Sequence, residues 1–420
     1  MRILLQSPRI VNTSSPFHLK KKNVLIVNGR IAEIGDKNFQ ADKTIDANGM
    51  ILSAGWLDLG AFVGDPGLEQ REDLTSISKA AADGGFTEIV VLPNTQPVVQ
   101  SKNDVSYITQ ANNNRLVQIH ALAAVTKNCK GEELTDMIDL HEAGAIAFTD
   151  GLKSIWHTDI FLKSLQYLQK FDGLLIDHPE DIWLDLFGQM HEGPNSTKLG
   201  LKGMPRIAEE ICVSRNIKLL EYAGGRLHFA RISSGKSVNL IRAAKKKGLN
   251  VTCDVSSYQP LFLDDELENF DTNFKTNPPL REQSDADALI KGLEDGTIDV
   301  LCSSHLPVDD ESKFLEFDHA EFGMINLQTF ASHLTSIGKE VKVEDLVLKV
   351  AEAPRQLLGL EIPKIDMDEK ANLTLFDPNR EWKFSSEENL SKSKNSPWLG
   401  KELKGKAVAV FNNGKVRIED

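Results

Sequence analysis

The sequence predicts an α/β protein, a (β/α)8 TIM barrel joined to a small β-sandwich made from both chain ends. Three observations predict it. Short β-rich apolar runs recur eight times, each followed by a turn and a helical pattern. Their apolar character suits the buried parallel strands of a barrel. The two ends of the chain instead read as short strands with hairpin turns, and neither end can bury a core alone.

In chain order, residues 1–50 carry strands such as 23–31, whose Asn28-Gly29 pair is a hairpin signal. Barrel strands are expected at 51–63, 87–93, 118–125, 145–149, 173–178, 226–232, 250–255 and 299–304. Helical patterns lie between them at 74–83, 103–112, 131–141, 159–170, 236–247 and 283–293. Strands resume at 371–376 and 407–414, the second ending in another hairpin signal, Asn413-Gly414. The expected division is a barrel over 51–364 and a composite sandwich from 1–50 with 365–420. The Ser- and Lys-rich stretch 385–396 reads as a surface loop, and no internal repeat is present.

At 420 residues, with 41% hydrophobic and 26% charged residues, the composition is that of a soluble globular protein. A net charge of −13 argues against nucleic acid or an anionic membrane as partner, since both select positive surface. The first residues, Met1-Arg2-Ile3-Leu4-Leu5, lack a signal-peptide core, and no run of about 18 apolar residues exists. Cys129, Cys212, Cys253 and Cys302 sit far apart, as reduced thiols of a cytoplasmic protein would.

Several motifs carry a more specific signal. They are Pro93-Asn94-Thr95-Gln96-Pro97, Glu192-Gly193-Pro194, Leu199-Gly200-Leu201-Lys202-Gly203-Met204-Pro205, and Lys275-Thr276-Asn277-Pro278-Pro279-Leu280-Arg281. With Trp56–Gly67, His305, Pro307 and Phe322-Gly323-Met324, they resemble the dihydroorotases of the amidohydrolase superfamily, in the class that bears a sandwich. The likeness covers nearly the whole chain. It implies a metal-dependent hydrolase barrel, and substrate contacts at Asn94, Asn277 and His305. Asn94 and Asn277 also suit a simpler task, since Asn beside Pro caps turns and organises loops.

Opening a cyclic amide at neutral pH needs a hydroxide nucleophile, a polarised carbonyl and an acid/base group. In this superfamily bound zinc supplies the first two. Against the family pattern, Gly60 and Phe62 stand at the two histidines of strand one, and Gly64 at a substrate-binding arginine. Arg231 replaces the histidine of strand six, and Ser304 replaces the metal-binding catalytic Asp of strand eight. Gly151 replaces the second member of an Asp-Asp pair, and Tyr258-Gln259 a His-His pair. Asp150 and His178 remain, too few for a closed zinc site. Alternation places Asp58, Gly60 and Phe62 on one face of strand one, and His228 on the face opposite Arg231. The Arg231 guanidinium is expected to replace the lost metal charge by pairing with Asp58, Asp150 or Glu180.

Three readings follow. The favoured one is a dihydroorotase-like protein of pyrimidine synthesis without catalysis, a structural or regulatory partner of aspartate transcarbamoylase, with no cofactor expected. The second is an active dihydroorotase, or another cyclic amidohydrolase, with zinc in a rearranged site using Asp150, His178 and His305. The third is a module that binds a pyrimidine precursor without turnover. The family resemblance also implies a homo-oligomer.

Overall fold

The computed structural model describes residues 1–112 and 114–419. Eight parallel strands run in chain order around the barrel: Trp56–Ala61, Phe86–Val91, Gln118–Ala123, Ala147–Phe148, Leu174–Asp177, Arg226–Phe229, Val251–Ser256 and Val300–Cys302. The ring closes between the first and last of them. Phe62 donates its backbone N–H to the His305 carbonyl at 2.8 Å, and Asp58 accepts from the Ser303 N–H at 2.6 Å and its hydroxyl at 2.7 Å.

Two apolar layers hold the barrel. Leu57, Leu59, Val90, Leu122, Leu174, Ile176, Val300 and Cys302 fill its interior. Trp56, Ile89, Val91, Leu227, Phe229, Val255 and Leu301 face outward against the helices. Both faces of each strand are therefore buried, which is why the strands read as continuous apolar runs.

The expected first strand, 51–63, is two elements. Ile51–Ala54 pairs with Leu373–Lys383 in a five-stranded sheet, and Trp56–Ala61 enters the barrel. That sheet and a four-stranded one (Arg30–Gly35, Asn23–Val27, Arg2–Gln6, Lys43–Asp46) enclose Ile3, Leu5, Val24, Ile26, Leu373, Leu375 and Phe411. Both ends of the chain supply this core. Asn28-Gly29 and Asn413-Gly414 turn the hairpins between Val27 and Arg30 and between Asn412 and Lys415, as their residue types require.

The stretch 385–396 is not a free surface loop. Ser391, Ser393, Asn395 and Ser396 are buried, and the side chains of Ser393 and Asn395 satisfy backbone groups of the barrel loops. Ser393 donates to the Arg71 carbonyl, and Asn395 joins the Leu306 carbonyl and Val308 N–H at 2.9 and 3.1 Å. Lys392 pairs with Asp73 at 2.6 Å. The segment thus straps the loops that follow barrel strands one and eight. Among the described residues, no helix is long and apolar enough to cross a membrane.

Candidate functional site

In (β/α)8 folds, chemistry is placed where the strands end and their following loops begin. There the chain brings together Gly60, Leu92, Leu152, Arg231, Tyr258, Asn277, Ser304 and His305. They leave little room. The mouth and the space beneath it hold two cavities of about 10 Å³ each, the size of a single water.

The backbone explains how these residues arrive. Strand one carries a bulge: its ladder to strand two shifts register between Leu59 and Ala61, and Gly60 has φ +90°. The phase of alternation therefore changes. Leu57, Leu59 and Phe62 join the inner core, while Asp58 turns the other way, to Ser303. Asp58, Gly60 and Phe62 do not share one face as expected. On strand six the alternation ends at Phe229, and Arg231, with φ 55°, lies beyond it in a left-handed turn. His228 sits opposite the inward Ile176 and bonds Asp254 at 2.9 Å, so both His228 and Arg231 face the barrel interior. The expectation that they lie on opposite faces fails because strand geometry stops between them.

Arg231 is buried, but its guanidinium makes no ion pair among the described residues. It donates to the Gly151 carbonyl at 2.7 Å, and its backbone N–H reaches Asp254 at 2.6 Å. The acidic remnants are satisfied elsewhere, which corrects the expected pairing. Asp150 accepts from the Thr126 N–H at 2.9 Å and hydroxyl at 2.5 Å, and burial pushes its carboxyl up to about 6. Asp58, held by Ser303, is likewise pushed up to about 6, chiefly by burial. Glu180 accepts from Asn277 at 3.3 Å and lies 3.5 Å from His178 Nε2. Burial raises its carboxyl, but His178, Asn277 and the nearby charge of Arg231 together hold it below its ordinary range.

Asn94 organises a loop: its amide donates to the Asp150 carbonyl and accepts from the Leu152 N–H, both at 3.0 Å. Asn277 gives its amide hydrogens to Glu180. His305 accepts at Nδ1 from the Asn326 N–H at 3.1 Å, which leaves its proton on Nε2, 3.4 Å from Glu72. Ser304 has φ 49° and shares a hydrogen with Ser256 at 2.5 Å. Tyr258 is buried in the mouth, its phenol pushed up to about 12 by burial.

Can this donor set hold the zinc that the family resemblance implies? Gly60 and Phe62 offer no ligand atom, Arg231 brings a positive charge, and Ser304 is tied to Ser256. Asp150 already has two strong donors. His178 Nδ1 and Arg231 Nε are buried without a partner, and only the first can bind a cation. The set does not fit the ion. Close packing also bars side chains at two of the glycines, though not at Gly60. A Cβ on Gly64 would lie 2.0 Å from the Leu68 carbonyl oxygen, and one on Gly151, at φ +68°, 1.9 Å from Asn94 Oδ1.

Sequence reasoning missed Asp254, Ser256 and Ser303. A signal for two of them existed: Thr252, Asp254 and Ser256 alternate along Val251–Ser256 and so share its inner face.

Comparisons with known proteins bear on the family and the fold. A family model described as Dihydro-orotase-like matches residues 49–237. The dihydroorotase of Citrifermentans bemidjiense is 37% identical over 421 residues, covering 99% of both chains. That of Geotalea daltonii is 37% identical over 422 residues, again covering 99% of each. The solved L-hydantoinase (dihydropyrimidinase) of Arthrobacter aurescens superposes with a TM-score of 0.85 at 24% identity, over 99% of this chain and 96% of that one, a likeness of fold.

Proposed function

Because this chain belongs to the dihydroorotase family, we propose that it keeps the family's barrel without hydrolysing a cyclic amide, and serves as a structural or regulatory partner of aspartate transcarbamoylase. One observation carries the loss of chemistry. The mouth is packed by Arg231, Tyr258, Leu152 and their neighbours down to cavities of about 10 Å³. Small-molecule sites are typically about 300–1,000 Å³. The partner role is supported by exposed apolar side chains around the insertion after strand five. Trp183 and Phe187 are 70% and 75% exposed. The Asp181 N–H bonds the Ala208 carbonyl, which sets their loop beside the exposed Ile207 and Ile211. Exposed apolar patches of this kind mark interaction surfaces.

An active cyclic amidohydrolase with a rearranged zinc site has one feature in its favour, the unpartnered Nδ1 of His178. Turnover separates the two. Purified protein supplied with zinc is expected to leave dihydroorotate unhydrolysed and to co-elute with aspartate transcarbamoylase, and Trp183→Ser with Phe187→Ser is expected to abolish co-elution. Zinc-dependent hydrolysis that disappears in His178→Gln would establish the active reading instead.

A further inference from the structure

We propose that His191, Asp264 and Glu282 form a binding site for a divalent transition-metal ion, outside the barrel mouth. The ion would clamp the insertion after strand five to the loop after strand seven. The three residues come from separate segments: the short strand Met190–His191, the turn Asp264–Asn269, and the cap of helix Gln283–Glu294. One ligand atom from each lies within 4.8 Å of the others.

Each residue has one polar atom held by the protein and one left facing the cluster. On His191, fully buried, Nδ1 lies 3.2 Å from Arg281 Nη1, while Nε2 is buried without a partner. On Asp264, 4% exposed, Asn195 bonds the carboxylate but Oδ2 is buried without a partner. On Glu282, Oε2 is held by Arg206 at 2.6 Å and Oε1 lies 3.8 Å from His191 Nε2. That separation is too long for a hydrogen bond. It is ordinary for two ligands of one ion, since atoms at about 2.1 Å from a metal stand roughly 3.0–4.2 Å apart.

Two unpartnered buried polar atoms aimed at one point would each cost free energy without an occupant. A cation satisfies both. Binding through Nε2 selects the tautomer with the ring proton on Nδ1, on the side of the ring away from the ion. In that tautomer Arg281 Nη1, 3.2 Å from Nδ1, keeps its own bond to the Met204 carbonyl at 3.0 Å. The neighbouring cations have their own counter-charges: Arg206 pairs with Glu282 and Asp285, and Arg281 lies 3.8 Å from Glu209. Asp264 has none. One imidazole and two carboxylates suit zinc, manganese or iron(II).

Calorimetric titration of Zn²⁺ into chelator-treated full-length protein is expected to show one saturable site. His191→Gln and Asp264→Asn should each weaken it by about 100-fold, while an Asp150→Asn, His178→Gln double variant leaves it unchanged. Because a substitution at buried His191 can disturb folding, the wild-type Zn²⁺ form should also be read by X-ray absorption. One nitrogen with oxygen ligands is expected, and an oxygen-only shell overturns the site. No saturable uptake by the wild type overturns it too, and leaves the proposal for the barrel mouth untouched. Uptake lost only in the Asp150/His178 variant overturns both, by placing the ion at the mouth.

Discussion

Asp58 shows how a buried carboxyl can do structural work at the end of the barrel. It joins the first and last barrel strands by accepting two bonds from Ser303, yet it is fully buried and its carboxyl is pushed from 3.8 up to about 6. The neutral form is therefore the one the fold favours. Its stabilisation is fully present below the unfolded value near 3.8 and is lost as pH rises through about 6. At roughly 1.4 kcal/mol for each tenfold change in proton affinity, Asp58→Asn should gain about 2–3 kcal/mol on the wild type between pH 4 and pH 8. Urea unfolding of both proteins at the two pH values checks this, and identical pH dependences would show that Asp58 titrates normally. Gly151 makes the opposite case. Gly151→Asp sets a side chain against Asn94 Oδ1, at a left-handed φ. A loss of about 1–3 kcal/mol is expected by the same measurement.

At the scale of elements, the repeated apolar runs and the two Asn-Gly turns were legible, because they depend on burial and on local backbone chemistry. The break at Gly55, the bulge at Gly60 and the left-handed turns at Arg231 and Ser304 were not. Each is fixed by contacts distant in sequence, so residue counting carried the alternation past the point where strands end. Helix Arg206–Ala223 was hidden for another reason: Glu209 and Asn216 lie on its buried face, while Ile207, Ile211 and Tyr222 are exposed. Glu209 is inside because it accepts from the Ser233 and Ser234 N–H groups. The residues that gather at the mouth were legible from the motifs, but the bonds that hold Arg231, Ser304 and Asp150 there were not. The 385–396 strap looked like a polar loop because its buried residues are serines and asparagines. Asn395→Ala removes two bonds from the loop after strand eight and should lower stability by about 1–3 kcal/mol, measured by denaturant unfolding.

Across the whole molecule, the barrel and the chain-end sheets are tied by a buried charge cluster. Arg355, fully buried, pairs with Glu88 at 2.7 Å and donates to the Gly55 carbonyl, while Asn372 and His120 also bond Glu88. Glu88→Gln leaves the Arg355 charge without its counter-ion and is expected to cost about 3–5 kcal/mol, seen as a lowered unfolding midpoint. The filled mouth has a mechanical corollary. The volume decrease on unfolding scales with internal voids, and a barrel whose mouth holds only about 10 Å³ in each cavity has little there to squeeze. Hydrostatic pressure should therefore act weakly on this part of the chain. Opening space there by truncating Arg231 or Phe62 would make the barrel compressible, so a filled mouth is also a stiff one.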